Sequence, residues 1–327
     1  MPAPPRPNCT FAAAIRPGVE WLSRHRVPQS VGILLHFLVV GAAVALRPGA
    51  TATLDDAPRY ADHVDVTFPA NPNNLTLDGA NTMNIASNTT MLSGVLNGGG
   101  GITKTGAGTL TLAGTIRTTH NWTYTAGTVD PGTSTVVFAG TQTISGSQTL
   151  GDVVLNNTTV HTIPVTDTLT VTGLLTLADG SIGTGTLAAQ GNINQASAFG
   201  SGTATLLING GGAQTLTGAA TTAAGDLPAL VINKPSGSLT LVGTLRTTRA
   251  WTYTAGGLAP GSSTLVLAGT LTISGSQPLN NLELRGAVTV PAGTTLTLAG
   301  TFSMPSAVVV TLNGSIIVPG LSTLAAG

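Results

Sequence analysis

Two stretches decide how this chain is read: GTLTLAGTIRTTHNWTYTAG at residues 108–127 and GSLTLVGTLRTTRAWTYTAG at residues 237–256. Extended to 108–157 and 237–286 without gaps, about 31 of 50 positions are identical at an offset of 129. Trp122 maps onto Trp251, Tyr124 onto Tyr253, and Pro131-Gly132 onto Pro260-Gly261. Within each copy, Thr109-Leu110-Thr111-Leu112 and its counterpart alternate hydroxyl and apolar side chains with period two. Such alternation marks a strand with one buried face. A shorter word recurs as GTSTVVFAG (132–140), GTATLLING (202–210) and GSSTLVLAG (261–269), and strand words return at 168–180 and 289–300. Asn97-Gly98, Asp179-Gly180, Asn209-Gly210 and Asn313-Gly314 punctuate them as turns. No stretch after residue 53 carries a capped 3.6-residue period, so the expectation is an all-β chain.

Sequence-level copies favour a stack of coils over a sandwich, because each coil must be closed by a similar neighbour. The predicted fold is a parallel β-helix (a β-solenoid) preceded by a signal-peptide-like amino-terminal segment. An offset of 129 is expected to equal six three-sided coils of 21 to 22 residues. The backbone hydrogen bonds then run along the column and leave unpaired edges only at its two ends.

Composition narrows the function classes. The chain has 327 residues, only 7 % charged, with 12 basic and 12 acidic side chains and 43 glycines. A typical soluble domain carries roughly 25 % charge. No basic stripe is present to displace counterions, so no nucleic-acid partner is expected. The low net charge does not fit a charge-driven disordered tail.

The amino terminus has the order of a secretory signal: Arg6, Arg16, Arg24 and Arg26, the apolar run VGILLHFLVVGAAVAL from Val31 to Leu46, and the small-residue site Ala50-Thr51-Ala52. An uncleaved anchor is the alternative, and is the only membrane contact expected. Cleavage after Ala52 would remove Cys9, the single cysteine, and leave seven basic and eleven acidic residues. Such an exported chain relies on packing and backbone pairing, without disulfides. Three segments are expected: 1–52, basic segment and signal peptide; 53–97, a loosely patterned region and candidate cap; 98–327, solenoid repeats.

Candidate chemistry is sparse. The acids Asp130, Asp152, Asp167, Asp179, Asp226 and Glu283 are spread singly, and five more (Asp55, Asp56, Asp62, Asp65, Asp78) precede the repeats. Asp130 becomes Ala259 and Asp152 becomes Asn281 in the second copy, which suits turn residues better than a catalytic pair. His63, His120 and His161 show no metal-ligand spacing, and His120 becomes Arg249. The stretch Gly98–Gly108 lacks the Gly-Lys-Ser/Thr ending of a phosphate loop and the aspartate of a calcium nonapeptide. No catalytic residue, metal or cofactor is expected. One ligand platform is conceivable: Trp122, Tyr124, Trp251 and Tyr253 hold alternate positions and share a face. If the threonines between them face water, the aromatics face the core; if not, they stack on sugars.

The word GGGGITKTGAGTLTLAGT at Gly98–Thr115 resembles the autotransporter-associated β-strand repeat, with Lys104, Gly106, Gly108, Leu110 and Leu112 carrying the match. More loosely, residues 100–327 resemble bacterial secreted β-strand-repeat, adhesin-like proteins. The resemblance implies an exported bacterial module at the cell surface or secreted, touching glycans or extracellular-matrix and cell-surface components. The ending SIIVPGLSTLAAG does not read as the membrane barrel of autotransporters, which leaves anchoring open. The expected role is a non-enzymatic rigid module, adhesin-like or structural. The alternatives are a carbohydrate-active β-helix enzyme of the polysaccharide-lyase kind and, after it, an ice-binding solenoid.

Overall fold

The computed structural model describes residues 101–318 continuously, with side chains from Ile102 onward, and upstream of them the backbone of seven short strands between residues 45 and 97. Residues 1–44, which hold the basic stretch and most of the apolar run, lie outside the described residues.

The described chain is all β, without a helix, and forms a parallel β-solenoid of about eleven coils. Three ladders run along it. Face I begins with Gly101–Thr105, Trp122–Tyr124 and Ile144–Ser145. Face II begins with Thr109–Leu112 and Thr128–Asp130, and face III with Thr115–Thr118, Thr135–Phe138 and the start of Asp152–His161. The order I, II, III then repeats. Upstream, Ala80–Ile85, Thr89–Leu92 and Val95–Asn97 pair in parallel with the first strands of faces I, II and III. At about 4.8 Å between parallel strands, eleven coils rise about 50 Å.

The Leu/Thr alternation produces the column directly. In Thr109–Leu112 both leucines are fully buried and both threonines reach the surface. Inward rows stack like on like: Ile116, Val136, Val153, Leu175, Ile193, Leu216 and Leu241 face one another on seven successive coils of face III. On face II the row runs Leu169, Leu187, Leu206, Leu230, Trp251, Ile273. Each buried aliphatic side chain contributes roughly 1.5–3 kcal/mol. Outward rows carry β-branched hydroxyls, such as Thr168, Thr186 and Thr205.

The coil length departs from expectation. Within residues 101–318 the register spacing varies from 17 residues (Leu265 opposite Leu282) to 25 (Leu216 opposite Leu241). Corners absorb the difference, because an outward bulge leaves the inward ladder intact. The offset of 129 is therefore not six coils. Trp122 stands on face I, between Ile102 and Ile144, whereas Trp251 stands on face II, between Leu230 and Ile273. They lie nineteen sides apart, six coils plus one side, because long strands such as Ala229–Thr247 run through more than one side. The two copies have the same local structure and are turned by one face.

Candidate functional site

The four aromatic residues do not form one platform. Trp122 and Trp251 are fully buried, on different faces, six coils apart. Each indole donates its Nε1–H to a buried glutamine: Trp122 to Gln148 Oε1 at 2.6 Å, and Trp251 to Gln277 Oε1 at 2.8 Å. The glutamine amides turn to corner carbonyls, Gln148 Nε2 to Ser145 and Gly146, Gln277 Nε2 to Ser274 and Gly275. Trp122 also meets Phe138 edge to face, with ring centroids 6.0 Å apart. Tyr124 and Tyr253 are half-buried, and their hydroxyls donate to the carbonyls of Gly127 and Gly256. The tryptophans thus present no ring to solvent. Thr123 and Thr252, between them, face outward and accept hydrogen bonds from Ser145 and Ser274 of the next coil.

All six acids among the described side chains are held in local structure. Asp130 accepts from Gly132 N–H, Asp152 from Leu174 N–H on the next coil, Asp167 from Gly146 N–H, and Asp179 from Gly180 N–H. Asp226 pairs with Arg246, its register partner on the next coil, and Glu283 with Arg285. Asn281 repeats Asp152's role, accepting from Thr301 N–H at 2.8 Å. An amide does the work of the acid there, so what the corner uses is an acceptor rather than a charge. Among the described residues no group of three His, Cys, Asp or Glu gathers in metal-binding range. The five upstream acids and the side chain of His63 lie outside the described side chains.

Sequence reasoning missed the corner chemistry. The chain has two lysines, Lys104 and Lys234, and both are buried. Lys104 Nζ donates to the carbonyls of Thr105, Gly106 and Ala126, each at 2.9 Å. Lys234 Nζ donates to the carbonyls of Gly210 (2.6 Å) and Gly212 (3.0 Å) and to Gln214 Oε1. At these corners the backbone turns its carbonyls inward, where water cannot serve them, and an ammonium with three donors satisfies them. Burial lowers the pKa of both lysines. In the copy alignment Lys104 falls on Asn233, so Lys234 fills its corner from one position later. The signal available was the placement of each lone lysine beside a glycine-rich turn. The stretch read against a phosphate loop is, in its described part, one of these corners, with Gly106 at φ +77°.

His161 is buried too, and neither ring nitrogen has a hydrogen-bond partner. Desolvation lowers its pKa to about 4, so the imidazole is neutral at pH 7. His120, in contrast, is exposed, with Nδ1 3.1 Å from Thr119 Oγ1. Comparison with protein-family models, with curated proteins and with solved structures finds no match.

Proposed function

We propose that the protein is a non-catalytic rigid module, exported by its amino-terminal segment and used as a spacer or adhesin-like element at the cell surface or outside the cell. The observation that supports this best is the use of every described acid as a corner acceptor or ion-pair partner, with an amide replacing one of them in the sister copy. Catalytic carboxylates on a solenoid would instead stand together, with oxygens aimed at a substrate. In this reading the function is geometric. Three stiff faces of hydroxyl and amide groups, nearly free of charge, make broad contacts with neutral polymers such as glycans.

The resemblance at Gly98–Thr115 to the autotransporter-associated repeat supports export as the context. The test is a panel of neutral and acidic polysaccharides incubated with the purified protein and calcium. Retention on some polymers without turnover is the expected result. Turnover that disappears when Asp130, Asp152 or Asp167 is changed to Asn would replace the module with the lyase-like alternative. Cell fractionation of the full chain tests export, and a product confined to the cytoplasm would refute that part.

A further inference from the structure

The two copies supply an internal control for a buried polar pair on face I whose side chains are largely without partners. Thr143 bridges Thr162 in parallel register, with Thr162 N–H donating to Gln142 O at 2.9 Å and Ile144 N–H to Thr162 O at 2.8 Å. Gln142 therefore stands opposite His161 inside face I. In the second copy Thr272 stands opposite Thr289, and the adjacent inward pair is Leu271 and Val288. The same ladder position thus holds Gln–His in one copy and Leu–Val in the other, fully covered in both.

The polar pair is poorly satisfied. Gln142 Oε1 accepts from Gly140 N–H at 3.2 Å, but Gln142 Nε2 and both nitrogens of His161 have no partner. Unpaired buried groups of this kind are destabilising, and the sister site shows that this fold accommodates an apolar pair here. On the far side His161 faces Ile182 of the following coil. No cation lies on the strands packed around the ring. The titratable groups there are Asp152 on its own strand, Asp179 on the next coil and Asp167 on the following corner, each hydrogen-bonded to a backbone N–H and none to the imidazole. The corner before His161 already departs from the ladder, with register shifts between Leu155 and Val160 and with Val160 44 % exposed.

We propose that Gln142 and His161 form an acid-sensitive weak point, at which protonation of the imidazole opens the column locally around the strands that carry Gln142, His161 and Ile182. The charge has no counter-ion inside the column and reaches water only if the strands part. The direction follows from linkage. The folded pKa, about 4, lies below the unfolded value of 6.5. Stability is therefore intact above about pH 6.5, falls as pH drops from there, and levels off below about pH 4. Between these limits the local opening equilibrium rises by about 20-fold at pH 5 relative to pH 7.

Amide hydrogen exchange on the full chain, corrected for the intrinsic pH dependence of exchange, tests this. Protection of amides at 143–145, 162–163 and 182–183 is expected to fall by about that factor between pH 7 and pH 5, while the sister site, 271–273 and 288–290, keeps its protection. His161→Gln keeps a buried polar group that does not titrate, and is expected to abolish the fall. The pair Gln142→Leu with His161→Val writes in the residue types of the sister site and is expected to do the same. Equal loss at both sites in the natural chain, or a fall that persists in His161→Gln, would overturn the proposal. Should the double variant not fold, the comparison of the two sites and the His161→Gln result still decide.

Discussion

Replacing Gly127 by alanine tests the stacking of corners more sharply than any large-to-small change in the core. Gly127 has φ +85°, in the left-handed region, where a Cβ costs about 1–2 kcal/mol. It also lies directly over the first glycine-rich corner. A Cβ there would stand 2.5 Å from Gly108 O and 2.5 Å from Lys104 Nζ, and would meet Gly106 O as well. Carbon and carbonyl oxygen are comfortable at about 3.3 Å or more, so the two coils must separate locally by close to 1 Å. That movement strains the Thr128 N–H to Gly108 O bond and the lysine's contacts, two or three hydrogen bonds at about 1 kcal/mol each. The expected total is about 3–5 kcal/mol. Gly293 provides the control: its φ is +80°, and nothing lies within 4 Å of the added Cβ. Gly293→Ala should therefore cost only the backbone part, about 1–2 kcal/mol. Urea unfolding followed by far-ultraviolet circular dichroism, with hydrogen exchange near each glycine, measures both. Equal costs for the two variants would mean that the corners do not stack as closely as described.

Four further outcomes follow from the same geometry. Trp122→Phe and Trp251→Phe should destabilise by the same amount within about 0.5 kcal/mol, each near 1–3 kcal/mol for the stranded glutamine oxygen; a large inequality in denaturant unfolding would contradict the local equivalence of the copies. Lys104→Met strands three carbonyls and should cost about 2–4 kcal/mol, also read from unfolding midpoints. Neither lysine should react with an amine-specific acylating reagent in the native column, by peptide mass spectrometry, until denaturant is added. Asp152→Asn should leave stability within about 0.5 kcal/mol while Asp152→Ala lowers it by about 1 kcal/mol, and a severe loss in the Asn variant would show that the charge itself matters.

The strand character and the inward rows were legible because a period of two maps one-to-one onto a pleated surface, as at Leu110 and Leu112. The internal copies were legible too, but not their placement. Nothing in the Trp122 or Trp251 segments states which face they occupy, because the three faces offer nearly the same inward environment and the corners vary freely in length. The Leu/Thr alternation left the indoles two places, the core or a sugar-stacking face; their glutamine partners, 26 residues on, gave no signal, since a side chain reaching across a corner leaves no periodic trace. Lys104 was noticed as part of a repeat word, yet its three carbonyl acceptors come from two different coils and are defined only once those coils stack. His161 and Gln142 were hidden for the same reason: they become neighbours through register alone.

Turning the copies by one face also governs what surface the column offers. A repeat returning after a whole number of coils would align its outward residues in one stripe, and threonines could then form a regular array. The shift of one side sets the outward residues of the two copies on different faces. On face II one outward row reads Thr149, Thr170, Leu207, Val231, Thr252, with the covered Ala188 between Thr170 and Leu207. On face III another reads Arg117, Val137, Val154, Thr176, Asn194, Thr217, Val242. Polar and apolar groups thus alternate in blocks of two or three coils, about 10–15 Å of column each. Blocks of that size suit a flexible polymer, which can settle different segments on different patches, better than a rigid lattice, which needs one spacing throughout. The column is accordingly expected to produce no thermal hysteresis in an ice-growth assay, while its retention on glycans should weaken gradually, not abruptly, as outward residues of a single coil are changed to alanine. Sustained hysteresis, or complete loss of retention from changes in one coil, would show that the surface acts through an ordered array or a single site after all.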